Sequence, residues 1–137
     1  MKTNSESIVF MTTRCILVID DEADIREIAK ASLQITKNWQ VLTAASGKEG
    51  LAIAQAQQPD AVLLDVVMPE VDGLKTLKLL KDHQATQHIP VILLTATVKV
   101  ATQREYAQLG AKAVLIKPFD PGILASQIEA ALAWKDQ

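Results

Sequence analysis

Carboxylates, one hydroxyl and one ammonium stand in this chain at the ends of short apolar runs. Asp20 and Asp21 follow the run from Cys15 to Ile19, and Asp65 follows Ala61 to Leu64. Thr95 follows Val91 to Leu94, and Lys117 follows Ala113 to Ile116. Such runs, bounded by turn formers, read as strands buried on both faces of a parallel sheet. If the strands are parallel, their ends meet at one edge, where open parallel sheets bind ligands. Three carboxylates crowded there would repel one another and raise some pKa values. A divalent cation and the Lys117 ammonium would offset that repulsion, and a few hard oxygen ligands with room for water suit Mg²⁺. A carboxylate beside such a cation, a hydroxyl and a lysine is also a phosphoryl acceptor. Asp65 would attack, and the positive charges would neutralise the transferring oxygens.

The elements that hold these groups follow from pattern and punctuation. Pro69 cannot donate to a sheet ladder and restricts Met68, so the central strand must stop near Asp65. Asp72 stands as N-cap ahead of Leu74, Leu77 and Leu80 at helical spacing. Upstream, Ile25, Ile28, Ala29, Ser32 and Leu33 mark one face of an amphipathic helix of about three turns. Trp39 to Ala44 reads as a second strand, and Ser46 with Glu49 has the spacing of a capping box opening a helix to about Gln57. Gly50 weakens that helix by about 1 kcal/mol relative to Ala, for no reason visible in the sequence. His88-Ile-Pro90 breaks the chain before the fourth strand. A polar helix from about Val100 to Leu109 is closed by Gly110. Asp120 is placed as the cap of a last helix, with Pro121 in its first position and Leu124, Ile128 and Leu132 facing inward. Five strands alternating with five helices predict a parallel sheet covered on both faces.

The whole chain sets bounds. Its 137 residues are enough for one domain, and 49% hydrophobic with 22% charged residues is a globular composition. A net charge of −2 argues against a nucleic-acid surface. No run approaches the roughly 18 apolar residues of a membrane span, nor the h-region of a signal peptide. Cys15 is the one cysteine and reads as a small buried hydrophobe in a reducing compartment, so a cytoplasmic location is expected. Residues 1–13 read as a flexible tail. His83 and His88 lack a third metal-spaced ligand and read as surface residues. Trp39 and Trp134 flank elements and read as packing.

Taken together, Ile19-Asp20-Asp21, Leu64-Asp65 with Met68-Pro69, Asp72-Gly73, Thr95-Ala96 and Lys117-Pro118-Phe119 resemble the receiver domain of two-component response regulators over residues 14–134. The resemblance implies a flavodoxin-like doubly wound fold with strand order 2-1-3-4-5. It implies that Asp65 is phosphorylated and that Asp20, Asp21, Asp65 and the backbone carbonyl of Val67 hold Mg²⁺, Asp20 through water. Thr95 would bind the phosphoryl group, Lys117 would be its countercharge, and the Lys117-Pro118 bond would be cis. The usual aromatic residue three before the lysine is Val114 here, a departure from the family's pattern at its readout position; Tyr106 reads as packing.

Residues 135–137 leave no room for an output domain, so a stand-alone receiver is expected. Its partners would be a histidine kinase or histidine phosphotransfer protein and a downstream protein, with a dimer as a further candidate and no nucleic acid or membrane. It would catalyse only its own phosphorylation and dephosphorylation. A Mg²⁺-dependent aspartyl-phosphate phosphatase is the competing enzyme reading, disfavoured because Val67 stands where such enzymes carry a second acid. A phosphorylation-independent interaction module is disfavoured because no acidic residue is missing.

Overall fold

The computed structural model describes residues 13–66, 73–96 and 99–135. The strands are β1 (Cys15–Ile19), β2 (Gln40–Ala44), β3 (Ala61–Asp65), β4 (Val91–Thr95) and β5 (Ala113–Ile116). The helices are α1 (Ala23–Lys37), α2 (Gly47–Gln57), α3 (Gly73–Asp82), α4 (Val100–Gln108) and α5 (Leu124–Leu132). All strand pairs are parallel, in the order β2-β1-β3-β4-β5. The expected flavodoxin-like α/β fold is the one found. Of the expected tail, residues 1–12 lie outside the described residues.

The sheet separates two apolar clusters. Leu17, Ile19, Leu64 and Leu93 face α2, α3 and α4 through Ala54, Leu77, Leu80 and Tyr106. Ile16, Val18, Leu63 and Leu94 face α1 and α5 through Ala29, Leu33, Leu124 and Ile128. The alternation along each strand thus feeds both faces, which is why β3 and β4 are buried at every position.

Three helix readings need correction. The first helix is 15 residues long, about four turns, and Ile28 is 44% exposed rather than facing the core. Ala29, Ser32 and Leu33 supply the buried stripe, and 100° per residue carries Ile28 off it. Asp120 does not cap α5. Its Oδ1 accepts from the Gly122 N–H at 2.8 Å and its carbonyl accepts from the Ile123 N–H at 3.1 Å. Those bonds close a turn first, and the helix begins at Leu124 after Ile123, with no side-chain cap. Leu132, expected to face inward, is only partly buried. By contrast, Ser46 Oγ accepts from the Glu49 N–H at 3.2 Å while Glu49 Oε1 accepts from the Ala45 N–H at 2.7 Å. That is the reciprocal capping geometry, displaced by one residue on its return arm.

Gly50 has a tertiary explanation. A Cβ there would strike Ile19 Cδ1 and lie 2.7 Å from its Cγ1, so α2 can press onto β1 only without a side chain. Gly73 opens α3 against the end of β3, where a Cβ would meet the Asp65 carbonyl oxygen and come within 2.6 Å of Val66 Cα. Asp72, expected as its cap, and Pro69 lie outside the described residues.

Candidate functional site

Strand register brings the chemical groups together. Ile19 pairs with Leu64, Asp65 with Leu94, and Thr95 with Ile116, so Asp20, Asp65, Thr95 and Lys117 step diagonally along one sheet edge. Backbone bonds continue past the strand ends and fix each group: Asp20 N–H to Ala44 O at 3.1 Å, Val66 N–H to Leu94 O at 3.0 Å, Lys117 N–H to Thr95 O at 2.8 Å. A pocket of about 250 Å³ opens there, lined by Asp21, Glu22, Asp65, Val66, Thr95, Ala96 and Lys117.

Lys117 is the electrostatic centre. Its Nζ lies 3.0 Å from Asp20 Oδ2, 3.1 Å from Asp65 Oδ1 and 3.4 Å from Glu22 Oε1. Burial pushes its pKa down, but pairing with Asp20 and Asp65 outweighs burial and holds it above the ordinary lysine value. The ammonium is therefore a fixed positive charge at neutral pH. The Lys117-Pro118 bond is cis, as the resemblance implied.

Asp20 is fully buried and Asp65 nearly so. Asp20 Oδ1 accepts from the Glu22 N–H at 2.9 Å, and Arg26 Nη1 donates to the Asp20 carbonyl at 2.8 Å, strapping the acidic loop to α1. Asp20 Oδ2 is buried without an aligned hydrogen-bond donor. The Lys117 ammonium pairs with it at 3.0 Å, which leaves lone-pair capacity for a further cation. Asp20, Asp21, Glu22 and Asp65 each offer an oxygen within 4.8 Å of the others. Asp20, Asp65 and the exposed Asp21, gathered beside one ammonium at an open pocket, fit a small hard divalent cation, while Glu22 in the same cluster directs its Oε1 to Lys117. The Val67 carbonyl, expected as a further ligand, lies outside the described residues.

Thus Asp20, Asp21, Asp65, Thr95 and Lys117 are brought to one place. Glu22 was missed, although Asp20-Asp21-Glu22 is an unbroken acidic triplet directly before a helix. Val114 is half-buried against the cluster that holds Tyr106, which is itself 7% exposed and serves as packing. His83 and His88 are exposed. Trp39 and Trp134 stack edge to face, centroids 5.6 Å apart, with the Arg14 guanidinium 4.3 Å from the Trp134 ring centre. They pack at the opposite edge of the sheet from the pocket. Cys15 is only half-buried; burial and the nearby Asp60 carboxylate push its thiol up, away from reactivity.

Known proteins carry the same pattern. The family model of the response regulator receiver domain matches residues 16–129. The chain is 40% identical over 117 residues to "Probable transcriptional regulator ycf27" of Cyanophora paradoxa, covering 85% of this chain and 47% of that protein. It is 32% identical over 122 residues to the phosphate regulon transcriptional regulatory protein PhoB of Pseudomonas aeruginosa, covering 89% and 53%. The chain spans about half the length of these curated relatives. Among solved structures, the chemotaxis response regulator CheY4 of Vibrio cholerae superposes with a TM-score of 0.82 at 31% identity, covering 88% of this chain and 99% of that one.

Proposed function

This chain belongs to the response regulator receiver family, and we propose that it accepts a phosphoryl group on Asp65 from the phosphohistidine of a histidine kinase or histidine phosphotransfer protein. The observation that carries this is a nearly buried carboxylate with a permanently charged lysine 3.1 Å away, at the wall of an open pocket.

In the proposed step, a carboxylate oxygen of Asp65 forms a bond to phosphorus while the phosphorus–nitrogen bond to the donor imidazole breaks. The bonding pair returns to the ring nitrogen. Lys117 stays protonated and faces the oxygens on which negative charge is concentrated. The Thr95 hydroxyl, 7% exposed at the pocket wall, donates to one of them. Asp20, Asp21 and Asp65, with the Val67 carbonyl, would hold Mg²⁺, whose charge when bound lowers the repulsion between carboxylate and phosphoryl oxygens. The chain acts on no separate substrate; it catalyses its own phosphorylation and dephosphorylation, and passes the signal on by protein contact or onward transfer to a second histidine. A cytoplasmic location belongs to this reading; among the described residues no helix is long and apolar enough to cross a membrane.

The test is intact mass after incubation with acetyl phosphate, with and without Mg²⁺. The wild type should gain one phosphoryl group only with Mg²⁺, and Asp65→Asn should gain none. A similar gain in Asp65→Asn would sink the assignment.

A further inference from the structure

Glu22 occupies the N-cap of α1 and makes no cap bond with its side chain. Helix N-caps favour Ser, Thr, Asp or Asn because a short oxygen reaches back to the helix amides. The Glu22 carboxylate goes the other way, across the pocket mouth to Lys117 at 3.4 Å. Its backbone is held at both ends, the N–H by Asp20 Oδ1 at 2.9 Å and the carbonyl by the Arg26 N–H at 3.2 Å. Only the side chain is at liberty to move, and it is 62% exposed where the Asp20 and Asp65 side chains are 0% and 6% exposed.

Resting on the phosphoacceptor reading, we propose that Glu22 is an exchangeable counter-ion of Lys117 that guards the pocket and is displaced by the incoming phosphoryl group. Three carboxylates share one ammonium, and a phosphoryl group entering the pocket needs the same ammonium for its own oxygens. Asp20 and Asp65 yield far less readily, because each is buried and water cannot replace the ion pair that it would lose. Glu22 can yield, since water re-solvates its carboxylate at once and the neighbouring α1 N-terminus favours a negative charge. Until it turns outward, its charge repels an anionic donor from the mouth. Glu22 thereby slows phosphoryl uptake, and its release alters the surface at the start of α1. The chemistry of transfer is unchanged: the donor bond to phosphorus breaks, the Asp65 bond forms, and the leaving group keeps the pair.

The experiment compares wild type and the isosteric Glu22→Gln in the full chain, with acetyl phosphate as donor, saturating Mg²⁺ and intact mass as readout. Uptake by Glu22→Gln should be about two- to five-fold faster, the scale of a single exposed ion pair. The advantage should shrink as ionic strength rises, which a merely structural effect would not do. Mg²⁺ affinity, followed by calorimetry without a phosphodonor, should be little changed. Uptake no faster than wild type, or Mg²⁺ affinity weakened together with uptake, would overturn the inference, the latter making Glu22 a metal ligand. Glu22→Ala repeats the comparison should the Gln variant unfold. A wild type inert to the donor overturns the phosphoacceptor reading and this inference together; a labelled wild type with no gain in either variant overturns this inference alone.

Discussion

Asp20 and Asp65 are both buried and both lean on one ammonium, so removing Lys117 should expose how much repulsion the pocket stores. Lys117→Met should lower stability in metal-free buffer by about 2–3 kcal/mol, because two buried carboxylates lose their ion pair with its ammonium. Urea unfolding with and without Mg²⁺ reads this directly, and Mg²⁺ should recover part of the loss. An unchanged midpoint without metal would mean the carboxylates are already neutralised by other means. The complementary variant is Asp21→Asn. Asp21 is exposed and lies in the acidic cluster, so its loss removes repulsion at little packing cost. The wild type should gain thermal stability with Mg²⁺ by mass action, and Asp21→Asn should gain much less. Equal metal-induced shifts in the two proteins would remove Asp21 from the ligand set.

Elements carry effects that a single residue type cannot announce. Gly50 reads as a weak point of a helix, and only the packing of α2 on Ile19 explains it. Replacement of Gly50 by Ala should therefore destabilise by about 1–3 kcal/mol, although it improves helix propensity by about 1 kcal/mol. A more stable Gly50→Ala protein would show that α2 can retreat from β1 freely. Gly73→Ala should cost more, since the obstacles are the backbone of Asp65 and Val66 rather than a side chain. It should also slow phosphoryl uptake, because those atoms carry the acceptor. Lys81 closes the same helix differently, donating to the carbonyls of Gln87 at 3.2 Å and Ile89 at 2.8 Å, with its pKa pushed down by burial. The unfolded chain then holds this proton more tightly, so the contribution of Lys81 to stability should rise with pH from its lowered folded value toward the ordinary lysine range. The stability difference between wild type and Lys81→Met, followed against pH, should grow in that direction. Strand ends were legible because Asp65, Thr95 and Lys117 each interrupt an apolar run. The start of α5 was not, because Asp120 satisfies its local bond in a turn that resembles a cap in sequence. Ile28 shows the same limit, since a 3.6-residue period permits neighbouring faces that only packing separates.

At the scale of the whole molecule, the sheet keeps its two edges apart. Parallel strands put every chemical group at one edge, so the five-residue strands leave roughly 16 Å between the pocket and the opposite edge. That opposite edge holds both tryptophans of the chain, Trp39 just before β2 and Trp134 just after α5, joined edge to face and covered by Arg14. Their place was not readable from spacing, because contact between residues 39 and 134 depends on strand order and on α1 and α5 sharing a face. That face is tied elsewhere by the Ser32 hydroxyl donating to the Pro121 carbonyl and by Lys37 paired with Glu129 at 3.3 Å. Tryptophan emission should therefore report unfolding strongly and occupancy of the pocket hardly at all. Mg²⁺ added to the folded protein should leave the emission maximum and intensity nearly constant, while urea should red-shift it as the pair comes apart. Arg14→Ala should change the emission of the folded state by removing the cation over Trp134, and should leave phosphoryl uptake as it was, since Arg14 stands at the far edge. Quenching by Mg²⁺ alone in the wild type would mean that the pocket and the tryptophan edge are coupled through the sheet. The rigid separation argued from strand length would then be wrong.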